Sequence, residues 1–243
     1  MSNNILFVFE GEKAENLISN NLMQFFLNEN IVVTCAYCTT IYNLYSEVFI
    51  DPDLDTFNLV KDNPKNFEVL RERKRSDFAE IYLFFDYDGH VSNANDFKLI
   101  ELLSFFIEET DKGKLLISYP MVEALRHIED LDTFEYLTFA ISNFRDYKKY
   151  TTTNCINDFK HFNEYTLIKW KQLIELHLKK MNKIVNDKFE MPIKSINQLT
   201  IFGNQMGKYI NPNQSVAVLS SFPIFLFDYY GPDNLNKKFV ISD

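Results

Sequence analysis

Ile81-Tyr82-Leu83-Phe84-Phe85 runs without a break into Asp86-Tyr87-Asp88-Gly89-His90. Five apolar residues of high β propensity read as a strand buried on both faces, the form strands take inside a parallel sheet. Ile5-Leu6-Phe7-Val8-Phe9 has the same character and ends at Glu10-Gly11. Ligands of open parallel sheets bind beyond the carboxyl ends of the strands. If the two strands are neighbours, Glu10, Asp86 and Asp88 converge on one sheet edge.

Working outward, Ala14 to Leu27 carries a helical stripe at Leu17, Ile18, Leu22, Phe25 and Phe26, and residues 31–35 form a second strand. A helix over 40–49 places Ile41, Leu44, Tyr45 and Val48 on one side and is broken by Asp51-Pro52-Asp53. Residues 51–78 are polar and irregular. A helix over 97–109 and a fourth strand over 114–117 follow, the latter running into Ser118-Tyr119-Pro120. Strands alternating with helices of this length predict an α/β domain over 1–130, a mainly parallel sheet flanked by helices. Beyond it the expected elements are helices over 131–143, 162–187, 196–210 and 215–229, with Asn211-Pro212-Asn213 separating the last two. A short strand at 239–241 ends the chain. Residues 131–243 are therefore expected to be a mainly helical subdomain or lid.

Hydrophobic residues make up 46% of the 243, too many for a disordered chain. The opening MSNNILFVFEGEKAE has no basic leader region, so no signal peptide is expected. No apolar run approaches the roughly 18–20 residues that span a bilayer, and a cytoplasmic protein without membrane contact is expected. Net charge is −9, which argues against broad non-specific binding to phosphate backbones. Its distribution is uneven. Residues 1–143 hold 11 Lys and Arg against 25 Asp and Glu, whereas residues 144–188 hold 10 against 5. The basic segment reads either as a nucleic-acid arm or as a helix with a solvated lysine face. Cys35 and Cys38 form a C-x-x-C, but no further Cys or His pair completes a four-ligand zinc site. With Cys155 the count is three, which argues against a disulfide framework, and semi-buried free thiols are expected.

Carboxylates set close together repel and raise one another's pKa, a penalty that a divalent cation removes. Mg²⁺ prefers oxygen ligands and commonly takes one or two carboxylates, with waters and phosphates completing the shell. The D-x-D spacing points Asp86 and Asp88 to the same side provided that the strand continues through Tyr87. Gly11 and Gly89 allow tight turns after the acids. Glu10 is the natural general acid or base. Glu15 and Glu123 are further candidate metal ligands; the plainer reading is an ordinary surface glutamate of a helix for Glu15 and a first-turn glutamate favouring the helix dipole for Glu123; Glu12 reads as surface. Lys13, His90 and Arg126 are candidates to steady a phosphate. Arg71, Arg73, Lys74 and Arg75 form either a phosphate contact or a solvated loop.

These residues also carry a family resemblance. Phe9-Glu10-Gly11-Glu12-Lys13-Ala14-Glu15 resembles the first Toprim motif, a strand followed by Glu-Gly, and Phe84-Phe85-Asp86-Tyr87-Asp88-Gly89-His90 resembles the second, a strand followed by Asp-x-Asp. The E-G-E-K-x-E pattern is most similar to the RloB-like and overcoming-lysogenisation-defect branch of bacterial phage-defence nucleases, which commonly has Thr in place of Ala14. Ser118, Pro120 and Glu123 match a further RloB-like segment, from which Tyr119, Val122 and Leu125 depart. The resemblance spans residues 5–128. It implies a Toprim-like, Rossmann-like fold and Mg²⁺- or Mn²⁺-dependent phosphodiester chemistry on DNA or RNA, with Asp86 and Asp88 holding the metal and Glu10 handling the proton. It also implies a place in antiviral defence under the control of a partner ATPase, since this chain has no G-x-x-x-x-G-K-[ST] of its own; self-association is compatible with it. A regulatory module that acts only with its partner, and a nucleotide-binding or phosphoryl-transfer enzyme on a similar sheet, stay open beside the nuclease.

Overall fold

The computed structural model describes residues 4–27, 31–51 and 53–239. Its elements run β1 (Asn4–Phe9), α1 (Lys13–Phe26), β2 (Val32–Tyr37), α2 (Ile41–Ile50), α3 (Thr56–Lys61), α4 (Phe67–Leu70), β3 (Glu80–Asp86), α5 (Asp96–Phe105), β4 (Lys114–Ser118), β5 (Thr138–Ala140), α6 (Tyr147–Asn154), α7 (Leu167–Asn186), α8 (Gln198–Gln205), α9 (Asn211–Asn213), β6 (Ser215–Ala217) and α10 (Ser221–Lys238). Short 3-10 turns join several of them. The fold is α/β, with a four-stranded parallel sheet flanked by helices.

Sheet order is β2-β1-β3-β4. The expected neighbours are therefore neighbours: β1 pairs in parallel with both β2 and β3, with Phe9 opposite Tyr37 on one side and Phe84 on the other. Ile5 to Phe9 are at most 2% exposed, which only a strand covered on both faces allows. Each such side chain contributes about 1.5–3 kcal/mol by leaving water, so burial rather than surface charge fixes this strand. Phe7, Phe9 and Phe84 pack ring against ring, with centroids 5.1 Å apart for Phe7–Phe84 and 5.4 Å for Phe9–Phe84. On α1 the buried apolar positions Ile18, Leu22 and Phe26 recur every fourth residue, the spacing of one helical face.

Two compact units divide the chain, Met1–Asp86 with Val91–Leu116, and Tyr87–His90 with Ile117–Asp243. The unit boundary falls within β4, between Leu116 and Ile117. In the first unit, residues 53–78 are more ordered than their polarity suggests. They hold α3 and α4 because Phe57, Val60 and Leu70 are buried, and Asp55 caps α3 by accepting from the Asn58 N–H at 3.1 Å.

The second unit holds α6 to α10 and a two-stranded sheet that the sequence reading missed. The expected helix over 131–143 is instead a 3-10 turn followed by β5, and the expected helix from 215 begins as β6. The strands pair antiparallel, Phe139 opposite Val216, and both side chains are buried. Gln205 completes the arrangement: its side-chain amide donates to Ala217 O at 2.8 Å and accepts from Ala217 N at 2.9 Å. The long helix expected over 162–187 starts at Leu167, where Thr166 caps it, and α8 gives way after Gln205 to a π turn over Met206–Ile210. α10 extends to Lys238 through a kink at Gly231 (φ 70°) ahead of Pro232. Of the expected strand at 239–241, Phe239 lies in a turn and the other two residues fall outside those described. Among the described residues no helix is long and apolar enough to cross a membrane.

Candidate functional site

The carboxyl ends of β1 and β3 lie side by side because the strands are parallel and adjacent. Glu10 is the first residue past β1 and Asp86 is the last of β3. The Asp86 N–H donates to Glu10 Oε2 at 3.5 Å, at the long limit of such a bond. Both residues are half-buried, so neither is a fully solvated surface charge.

Glu15 lies in the first turn of α1. It is 7% exposed, and its carboxylate folds back over Gly11, where a Cβ would lie 2.5 Å from Oε1 and 2.9 Å from both Cδ and Oε2. Gly89 lies in the turn expected after Asp88, and neither Gly11 nor Gly89 takes a positive φ. What Gly11 provides is space for the Glu15 carboxylate. Glu12 points elsewhere and pairs with Lys65 at the surface, and Lys13 is exposed.

Asp88 belongs to the second unit. The extended run that would point Asp86 and Asp88 the same way stops at Asp86, since β3 ends there and Asp88 has φ 45°. Tyr87 is the cause. Its N–H is 3.1 Å from both Ser118 O and Pro120 O, and its buried ring packs against Tyr119, Phe144 and Phe202. Within that unit Asp88 Oδ1 is 3.9 Å from His90 Nδ1. Glu123 is also there, buried on a 3-10 turn over Val122–Leu125 rather than on the expected α-helix, with Oε1 3.6 Å from Lys148 Nζ. Glu10, Glu15 and Asp86 thus belong to one unit, where only Glu10 and Asp86 are seen in contact, and Asp88 and Glu123 belong to the other.

Two cations proposed for phosphate have backbone work. The Arg126 guanidinium donates to Lys160 O, Lys148 O and Thr152 Oγ1 and lies over the Phe162 ring. Arg75 donates to Phe78 O, Thr110 O and Asp111 O. Cys35, Cys38 and Cys155 are free thiols. Burial pushes the Cys35 thiol up, and burial together with the Glu10 and Glu47 carboxylates pushes Cys38 up to about 11. Neither is a ready nucleophile, since the thiolate is the reactive form.

A cavity of about 420 Å³ that the sequence did not reveal opens in the first unit, lined by Cys38, Thr39, Asn43, Ser46, Glu47, Leu59, Asp62 and Asn63. These residues come from the end of β2, from α2 and from the end of α3, and no local spacing links them.

Among the described residues no group of three or more His, Cys, Asp or Glu side chains is set closely enough to hold a metal ion by itself. The donor chemistry of Glu10 and Asp86, hard oxygen atoms at a sheet edge, fits a cation that takes one or two carboxylates and completes its shell with water and phosphate. Comparison of the chain with known protein families, with curated proteins and with solved structures finds no match in any of the three.

Proposed function

We propose that the protein is a metal-dependent nuclease of Toprim type. One observation carries the reading: the carboxylate of Glu10 and the chain at Asp86 meet at the carboxyl ends of adjacent parallel strands, Oε2 to N 3.5 Å. Carboxylates at the carboxyl ends of neighbouring strands are hard oxygen donors of the kind a divalent cation takes. In this reading Glu10 and Asp86 hold Mg²⁺ or Mn²⁺, with Glu15 in reserve beside Gly11; Asp88 enters from the D-x-D motif alone. When bound, such a cation would supply charge stabilisation at a scissile phosphate. Glu10 accepts the proton of the attacking water, and Asp86 fixes where the phosphate sits. A partner ATPase that restrains the activity, and a place in antiviral defence, belong to the same proposal through the sequence resemblance.

The test is cleavage of plasmid, single-stranded DNA and total RNA with Mg²⁺ or Mn²⁺, comparing wild type with Glu10→Ala and Asp86→Ala, each checked for folding by circular dichroism. Loss of cleavage in both variants supports the proposal. Unchanged cleavage in the variants places the chemistry elsewhere, and no cleavage by wild type moves the weight to a module that acts only with its partner.

A further inference from the structure

The turn after β3 holds a nitrogen that the fold leaves unsatisfied. His90 Nδ1 is buried and, among the described residues, makes no hydrogen bond. The other buried imidazoles behave differently. His127 meets the Tyr147 hydroxyl at 2.8 Å through Nδ1 and Glu129 Oε1 at 2.9 Å through Nε2. His177 is bonded at both nitrogens, to Ser220 N and to Leu125 O. A buried polar atom without a partner is costly enough that a native one calls for a reason, and an ion is one of the few that serve.

A carboxylate faces it. Asp88 Oδ1 is 3.9 Å from His90 Nδ1, and the two side chains are only 16% and 20% exposed. That distance exceeds a hydrogen bond, yet it lies inside the roughly 4.2 Å that two metal bonds of about 2.1 Å can span. Neither group is loose. Tyr87, just before them, is buried against Tyr119, Phe144 and Phe202, and the His90 ring lies on Phe144 with centroids 5.8 Å apart. Donors locked by their packing are preorganised for an ion. Their chemistry selects which one. Mg²⁺ prefers oxygen alone, whereas an imidazole nitrogen favours the first-row transition ions, among which Mn²⁺ still takes carboxylate and water. Water and phosphate complete the shell of an ion held by so few side chains.

We propose that His90 Nδ1 and the Asp88 carboxylate hold one divalent cation between them, and that the nitrogen makes this site select Mn²⁺ over Mg²⁺. Asp88 thereby gains a role that stands on geometry as well as on the motif. The reaction that the ion serves rests on the nuclease reading; the histidine ligand and the choice of ion go beyond it.

The experiment is electron spin-echo spectroscopy of the full chain with Mn²⁺, in which a coordinated imidazole modulates the echo through its nitrogen nucleus. Wild type should show this modulation, and isotopic labelling of histidine nitrogen should shift its frequencies without any substitution. His90→Gln should remove it. The same variant should weaken Mn²⁺ binding, read from the free-ion signal, by about tenfold or more, since losing even an outer-shell partner costs about 10–100-fold. The preference for Mn²⁺ over Mg²⁺, from displacement titration, should fall by about as much. His161→Gln, at an exposed position, should leave the signal intact. Circular dichroism checks each variant, and the labelled wild type decides nitrogen ligation even where a variant does not fold. No binding of Mn²⁺, binding without nitrogen modulation, modulation that survives in His90→Gln, or an unchanged ion preference overturns the site. Metal-dependent cleavage without nitrogen modulation would sink the site and spare the nuclease; nitrogen modulation without cleavage of any polymer would do the reverse.

Discussion

Gly11→Ala should damage activity while sparing the fold, and the structure sets the size of the effect. An alanine Cβ at this position would stand 2.5 Å from Glu15 Oε1, against the 3.4 Å at which ordinary contact begins, so the oxygen must retreat by about 0.9 Å. The atom in the way is the far end of a flexible side chain and Gly11 has no positive φ, so the backbone accepts alanine. Stability should stay within about 1 kcal/mol of wild type. Chemistry is less forgiving, since a misplacement of about 1 Å costs on the order of 100-fold in rate. The assay is cleavage rate under single-turnover conditions beside urea denaturation, for Gly11→Ala, Glu15→Ala and the double variant. If the methyl acts by displacing Glu15, the two substitutions are strongly non-additive, and Gly11→Ala costs little more once Glu15 is gone. Full activity in Gly11→Ala refutes the assignment of Glu15 to the site. Full additivity shows that the methyl acts by another route.

Two glycine substitutions elsewhere should move stability in opposite directions under urea denaturation. Gly113→Ala meets Leu83 Cδ1 at 2.5 Å and Ile81 Cγ2 at 3.1 Å at φ +111°, and should destabilise by about 2–5 kcal/mol from strain and overpacking. Gly203→Ala, in α8 with open space where its Cβ would go, should stabilise by about 0.5–1 kcal/mol. Gln205→Met leaves both buried backbone groups of Ala217 short of a partner and should lower stability by about 2–4 kcal/mol by the same measure. His177 gives the pH dependence: burial pushes it down to about 3, and it is held neutral, accepting from the Ser220 N–H and donating to Leu125 O. Its contribution is complete above the ordinary histidine value near 6.5 and is lost as pH falls toward 3. Up to about 2 kcal/mol should go between pH 6.5 and 5, and His177→Gln should flatten that slope relative to wild type.

The parts of the fold legible in the sequence are those where burial writes a long pattern. Ile5–Phe9 and Ile81–Phe85 are continuous apolar runs because both faces of each strand are covered. β5 was not legible, since three residues cannot display a period of two. β6 was hidden for another reason: Val216 to Leu219 is a short apolar run, and such a run fits a buried strand and a buried helix equally. The available signal was Ser220-Ser221-Phe222-Pro223, a polar start with proline in the first turn, which marks where α10 begins. The site divides in the same way. Glu10 and Asp86 were legible because each ends a patterned strand. The roles of Arg75 and Arg126 were not, because nothing in a charge pattern tells whether a guanidinium meets phosphate or the carbonyls of its own chain.

The D-x-D motif shows most clearly what a spacing argument leaves out. Reading Asp86-Tyr87-Asp88 as two ligands and a spacer treats the tyrosine as inert, yet Tyr87 carries more packing than either neighbour. Its ring is 2% exposed, and Gly89 exists to make room for it: a Cβ there would stand 2.5 Å from Cε1 and 2.8 Å from Cζ. The positive φ of this turn falls on Asp88, not on the glycine. Gly89→Ala therefore differs in kind from Gly11→Ala. At Gly11 the obstacle is a carboxylate that can swing away; at Gly89 it is a ring locked among Tyr119, Phe144 and Phe202. Overpacking of this sort costs about 1–3 kcal/mol. Gly89→Ala should lower the urea midpoint by a corresponding amount, whereas Gly11→Ala leaves it nearly unmoved. Equal stability of the two variants would mean that the Tyr87 ring is loosely held, and the account of why β3 ends at Asp86 would fall with it.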